Sequence, residues 1–186
     1  MNIQVGISNR HIHLTKEDYL KLFNDKPLEK RNDLVQKGEY ATTSTLSIKG
    51  PKGQIDNVRL LGPFRPYTQV EISTTDTYKL GIKPQVRKSG DLKDAEEITI
   101  IGPNSSITKK CAIVAQRHIH LSYNDIQKYN LDQSKTYKIK INTEKSAVLE
   151  NVHLKPTENG VLELHLDTDD ANATLLKQKD IVELIK

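Results

Sequence analysis

The pattern Arg-His-Ile-His-Leu occurs twice in this chain, at residues 10–14 and again at 117–121. A hydroxyl residue follows each copy, Thr15 or Ser122, and three places later comes an aspartate, Asp18 or Asp125. Alternating His-Ile-His suits a strand, whose side chains at i and i+2 leave the same face. His11 and His13 therefore project together, as do His118 and His120, while Ile12 and Ile119 turn toward a core. The hydroxyl is placed to cap a helix N-terminus, with the aspartate completing a capping box. Each copy predicts a strand that delivers two imidazoles and then turns sharply into a helix.

One His-x-His pair alone is ordinary surface alternation. Repetition of the whole pattern, using four of the six histidines, points instead to imidazoles gathered for a metal ion. Two further alternating stretches offer ligands. In Gln69-Val70-Glu71-Ile72-Ser73, Val70 and Ile72 face one way and the Glu71 carboxylate the other. In Glu163-Leu164-His165-Leu166-Asp167, His165 shares a face with the two acidic residues and opposes the leucines. Imidazoles with one or two carboxylates suit zinc, or another divalent first-row metal, better than magnesium or calcium. Six candidates (His11, His13, Glu71, His118, His120 and His165) exceed the needs of one tetrahedral ion that keeps an open position. Two nearby ions, with Glu71 as a bridging carboxylate, fit the count better. His153 opposes the parity of Val152 and Leu154 and is expected to face solvent without a role. Arg65, in a turn between Pro63 and Pro66, reads by default as a surface arginine.

Composition narrows the class. The chain has 186 residues, 35% hydrophobic and 28% charged, with no long apolar run. This predicts a soluble protein with one or two cores and no membrane span. The first motif begins within ten residues of Met1, which leaves no room for a signal or transit peptide. A single cysteine, Cys111, excludes an internal disulfide and suits a reducing compartment; it is expected to be a buried or half-buried structural thiol. The net charge of +4 suits a small anionic substrate. Nucleic acid is disfavoured, because the basic residues are scattered and aromatics reach only 5%, too few for a stacking platform.

Strand signals outnumber helix signals. Residues 2–8 predict a strand, and 15–24 a capped helix that buries Tyr19, Leu22 and Phe23. Residues 25–40 are polar and irregular and predict a surface connection ending at Gly38. A hairpin is expected from 45–49 and 54–61, and a similar cassette from 98–101 and 107–114, each turning at a Gly-Pro. Residues 81–92 read as a loop, 122–130 as a short helix and 136–141 as a strand. Asn159-Gly160 is the strongest short hairpin signal, between strands at 148–155 and 160–166. Asp167 or Thr168 then caps a helix over 169–173, and 181–185 closes with a strand. The class is mainly β and barrel-like. More than the histidine pairs recurs, in a different order around each, which points to a tandem or circularly related duplication of β-domains.

Five blocks, in order, carry a family resemblance. They are Ser8-Asn9-Arg10-His11-Ile12-His13-Leu14, then Gly62-Pro63-Phe64-Arg65 with Thr68-Gln69-Val70-Glu71-Ile72-Ser73, and Val86-Arg87-Lys88-Ser89-Gly90-Asp91. Arg117-His118-Ile119-His120 and His165-Leu166-Asp167-Thr168-Asp169-Asp170-Ala171-Asn172-Ala173 complete the set. Together they resemble the PduL-type phosphotransacylases (phosphate propanoyltransferases, or phosphate acyltransferases) over nearly the whole chain. The resemblance implies two β-barrel domains capped by short helices, 1–9 with 116–186 and 10–115, and a dinuclear zinc site between them. It implies zinc ligation by His11, His13, Glu71, His118, His120 and His165, and phosphate held by Arg65, with Arg87 the next arginine to consider. The reaction implied is acyl-CoA plus phosphate giving acyl phosphate plus CoA, with acetyl and propanoyl groups both open. Relatives packed into bacterial microcompartments carry an N-terminal targeting extension. None precedes the first motif here, so a free cytoplasmic enzyme is expected, and a homodimer stays open.

Two other readings share the same ligands. A dinuclear metallohydrolase would use metal-bound hydroxide and have no need of Arg65 for a phosphate cosubstrate. A zinc-stabilised β-barrel binding module would have a closed site without turnover, but structural zinc usually recruits thiolates, which are absent from this set.

Overall fold

The alternation read from the sequence becomes strand almost everywhere it occurs in the computed structural model, which describes residues 1–185. β1 (Asn2–Ser8) leads into β2 (His11–His13), α1 (Lys16–Phe23), β3 (Lys30–Asp33) and the hairpin of β4 (Tyr40–Lys49) with β5 (Gln54–Gly62). β6 (Gln69–Glu71) precedes α2 (Thr74–Leu80), β7 (Val86–Arg87) and a second hairpin, β8 (Glu96–Ile101) with β9 (Ser106–Ala115). β10 (His118–Ser122) runs into α3 (Tyr123–Tyr129) and β11 (Tyr137–Ile141). β12 (Ala147–Thr157), β13 (Glu163–Asp167), α4 (Thr168–Thr174) and β14 (Ile181–Ile185) end the chain. Among the described residues, no helix is long and apolar enough to cross a membrane.

The chain divides into two compact units. The first comprises Met1–Asn9, Val35–Lys37 and the residues from Gln116 on; the second comprises Arg10–Leu34 and Gly38–Ala115. Six strands close the first barrel in the order β1-β13-β10-β12-β11-β14. In the second, β4-β5-β2-β6-β9-β8 form a ring that closes where β8 pairs with β4, and β3 and β7 are short additions to it. Ile119, Leu121 and Leu164 lie in the core of the first barrel. Ile12, Leu14 and Val70 lie in that of the second.

Both barrels are built around the same device. β10 lies between β12, to which it is parallel, and β13, to which it is antiparallel. β2 lies likewise between β5, parallel, and β6, antiparallel. In each barrel the two flanking strands are consecutive in sequence, so their connection must pass the end of the histidine strand. In the second barrel this passage is marked by the Arg65 amide donating to the Leu14 carbonyl at 2.9 Å. In the first, Gly160 comes so close to the Leu121 carbonyl oxygen that an added Cβ would lie 2.1 Å from it. The hairpin expected at Asn159-Gly160 is therefore corrected: β10 is inserted between β12 and β13, and Gly160 serves a close backbone approach.

Connectivity explains why the repeat is out of order. β1 is followed by β2 but pairs with β13 and β14 of the first barrel. β9 is followed by β10 but pairs with β6 and β8 of the second. The strand leading into each histidine strand thus belongs to the other barrel's ring.

Helix starts follow the capping chemistry, with one difference. Ser122 and Asp125 form a full capping box at α3, and Asp167 resolves the choice at α4 by accepting from the Asp170 amide. At α1 Thr15 accepts from the Asp18 amide, but the Asp18 carboxylate is engaged by Thr68 and Lys109. Three elements are not predicted by the sequence: α2, β3 and β7, the last a two-residue strand inside the expected loop at 81–92. α2 is capped by Ser73 with Asp76 and ends at Gly81, whose φ of 75° suits glycine. β3 lies in the polar 25–40 stretch, where all four residues are exposed and edge pairing to β4 replaces any apolar alternation.

Gly160→Ala should lower stability by about 1–3 kcal/mol, the usual cost of forcing extra atoms into a packed position, seen as a lower urea midpoint. An unchanged midpoint would show that the crossing relaxes away from Leu121.

Candidate metal centre

The strand that precedes a cap and alternates with a core isoleucine sets each imidazole pair. Ile12 is fully buried on one face of β2, and on the other His11 and His13 are 7% and 3% exposed. Their rings meet edge to face with centroids 4.9 Å apart. The antiparallel register places His11 opposite Glu71 and His13 opposite Gln69. His11 Nε2 lies 3.5 Å from Glu71 Oε2. Gln69 donates to the other carboxylate oxygen at 2.6 Å, and also to Ser89 Oγ at 3.0 Å, while its own oxygen accepts from the Gly90 amide.

The first unit repeats this with one exchange. Ile119 is fully buried, and His118 and His120 lie on the opposite face at 8% and 5% exposure. His118 stands opposite His165 and His120 opposite Glu163. The His118 Nδ1–H donates to the Gln116 carbonyl at 2.9 Å, which puts the Nε2 lone pair toward His120, whose Nε2 is 3.1 Å away. The His165 ring centroid is 4.4 Å from that of His120 and 5.2 Å from that of His118. His165 Nε2 lies 2.7 Å from Glu163 Oε2.

Two sets of three therefore stand within the chain, His11–His13–Glu71 and His118–His120–His165, each with ligand atoms within 4.8 Å of one another. Their donors fit zinc. Tetrahedral zinc with bonds of about 2.0–2.1 Å separates its ligand atoms by about 3.3 Å, close to the His118–His120 spacing. The Gln116 carbonyl fixes a tautomer in the manner of an outer-layer metal partner.

Each motif's arginine is a brace. Arg10 grips both oxygens of Asp76 at 2.9 Å, and Arg117 pairs with Asp170 through two hydrogen bonds of 2.7 Å. Asp76 and Asp170 lie in the first turns of α2 and α4, which directly follow the strands of Glu71 and His165. Arg65 has its side chain 16% exposed and pairs with Glu39 at 2.9 Å. Its other arm donates to Tyr67 and to Ser89 Oγ, each at 3.3 Å. A polar chain thus runs from Arg65 through Ser89 and Gln69 to Glu71. Arg87 bonds instead to the Lys93 carbonyl and reaches Asp94 at 3.6 Å. His153 is half-buried, in register with His118 on β12.

In the sequence Gln69 and Glu163 read only as polar residues sharing a strand face with a candidate ligand, Ser89 as part of a loop and Glu39 as part of a polar connection. For Gln69 and Glu163 a signal existed. Gln69-x-Glu71-x-Ser73-x-x-Asp76 and Glu163-x-His165-x-Asp167-x-x-Asp170 align position by position, with a polar residue two places before the third candidate ligand in each. Glu39 is 26 residues from Arg65 and carried no such signal.

The family model described as phosphate propanoyltransferase matches residues 4–177. Phosphate propanoyltransferase from Thermotoga maritima is 43% identical across 99% of this chain and 89% of its own length. That of Rhodopseudomonas palustris is 41% identical across 99% and 82%, and that of Citrobacter rodentium 44% across 92% and 82%.

Cys111 takes no part in either set. It is 2% exposed, and burial pushes its thiol up to about 12, so the thiolate is scarce at neutral pH. Folded protein at pH 8 should react with an aromatic disulfide reagent at least tenfold more slowly than the urea-unfolded chain. Equal rates would place Cys111 at the surface.

Proposed function

The chain belongs to the phosphate propanoyltransferase family, and from that premise we propose how its residues serve the phosphate acyltransferase activity. The reading is that a short acyl group, acetyl or propanoyl, passes reversibly between coenzyme A and inorganic phosphate. Two zinc ions would be held per chain, one by His11, His13 and Glu71, the other by His118, His120 and His165. Bound zinc would supply Lewis acidity toward the thioester carbonyl and a soft partner for the departing thiolate. Arg65 holds the phosphate, because its planar fork matches two phosphate oxygens at once. Tyr67 and Ser89 aim the guanidinium. Holding phosphate beside the thioester makes attack on the carbonyl effectively intramolecular, and the C–S bond breaks as the acyl–oxygen bond forms. No side-chain nucleophile is needed. The observation that carries this reading is the hydrogen-bonded chain from Arg65 through Ser89 and Gln69 to Glu71, which ties an anion-binding fork to a metal-ligand set.

Phosphate dependence is the first check. Thiol release from acetyl-CoA should require phosphate, and phosphate-independent release would favour a metallohydrolase. Elemental analysis of protein purified without chelator should find about two zinc per chain; active protein with one or none would sink the two-ion reading. Arg65→Ala should leave zinc content unchanged while activity falls on the order of a hundredfold, as expected for losing a charge-assisted contact of ~2–3 kcal/mol. Arg65→Lys should recover only part of that loss. A phosphate KM in Arg65→Ala near that of the parent would move attention to Arg87.

A further inference from the structure

The two ligand sets differ in charge. One holds two imidazoles and a carboxylate, the other three imidazoles. The residue standing opposite the second histidine of each pair reverses that difference. It is the neutral Gln69 where the third ligand is Glu71, and the acidic Glu163 where the third ligand is His165. Each hydrogen-bonds its own third ligand, Gln69 to Glu71 at 2.6 Å and Glu163 to His165 Nε2 at 2.7 Å. We propose that Glu163 is a positioning residue for a metal ion at His118, His120 and His165, lending that all-imidazole set, through one hydrogen bond, the negative charge that Glu71 lends the other set directly. This rests on the zinc-binding reading above.

The surroundings hold Glu163 to that task. It is 2% exposed, and a carboxylate so buried needs partners on its oxygens. Gln36, itself buried, donates to Glu163 Oε2 at 3.2 Å and is clamped by Val161 through its own amide oxygen and nitrogen. Gly6, in register with His165 on β1, completes the fit. A Cβ there would lie 2.8 Å from both Cδ and Oε1 of Glu163 and 2.9 Å from Cδ2 of His165. Only a residue without a side chain lets the carboxylate and ring lie together against β1. Because a carboxylate only accepts, Nε2 of His165 carries the hydrogen, and the ring's lone pair is on Nδ1. The hydrogen bond therefore chooses the ligand atom and orients the ring.

Glu163→Gln keeps the size and one hydrogen-bond partner but removes the charge. Wild-type and variant protein would be equilibrated with zinc against a graded competing chelator, and bound zinc per chain measured, with His165→Ala as the reference for loss of that ion. The expected result is one ion held as in wild type and the other about 10- to 100-fold more weakly. Thermal midpoints of the chelator-stripped proteins should agree. Wild-type affinity for both ions in the variant would overturn the proposal while leaving the zinc reading intact. Equal weakening of both ions with a lower stripped midpoint would mark a merely structural role and also overturn it. Fewer than two ions in wild type would remove the zinc reading itself. Should Glu163→Gln not fold, Gln36→Ala carries the same test. A severalfold loss at that one ion supports the proposal, and unchanged affinity at both overturns it.

Discussion

Insertion of a short histidine strand between a parallel and an antiparallel neighbour is the constraint on which the rest of the structure depends. β2 has three residues, too few to hold a position alone, yet hydrogen bonding on both sides leaves it no edge. Its central isoleucine is driven into the barrel core, so the flanking imidazoles must leave by the other face. Directly opposite residues on antiparallel strands hold their Cβ atoms about 4.5–5.5 Å apart. The register that puts His11 against Glu71, and His118 against His165, therefore brings the third candidate ligand to each pair. A slip of one residue would turn that side chain into the apolar interior.

What surrounds each strand keeps the register from slipping. The arginine that opens each motif reaches the first turn of the helix after the strand of Glu71 or His165, pairing Arg10 with Asp76 and Arg117 with Asp170. The hydroxyl that closes each motif caps the following helix. Every residue of the repeated Arg-His-Ile-His-Leu-hydroxyl unit thus has a place: brace, candidate ligand, core, candidate ligand, core, cap. The duplication is faithful in geometry and unequal in chemistry. Glutamine with glutamate on one sheet answers to glutamate with histidine on the other, so each set keeps one carboxylate within reach.

Local periodicity made a large part of this legible. Alternation at i and i+2 identified the strands of both histidine pairs, of Glu71 and of His165, because in a strand the face of a side chain depends only on its parity. Capping was legible for the same reason: Thr15, Ser122 and Asp167 act within three residues of themselves. Signals that compete locally were misread. Asn159-Gly160 has hairpin chemistry, yet the structure uses the glycine to pass Leu121. Ser73 both continues the alternation of the strand before it and opens the Ser73–Asp76 capping box, so period and cap compete for one residue.

By itself, then, the sequence determined a mainly β chain with two like motifs, the faces their imidazoles share and the helices that follow them. Beyond the two hairpins at 45–61 and 98–114, tertiary structure decided which strands are neighbours. That choice brings Ser89 to Gln69 and Arg65, sets Gly6 beneath Glu163 and His165, and carries Gln36 over 127 positions to the Glu163 carboxylate. These pairings depend on sheet register and on chain crossings between residues far apart in sequence. No local period encodes such distances, because the energy that selects them comes from closing each barrel around its own core.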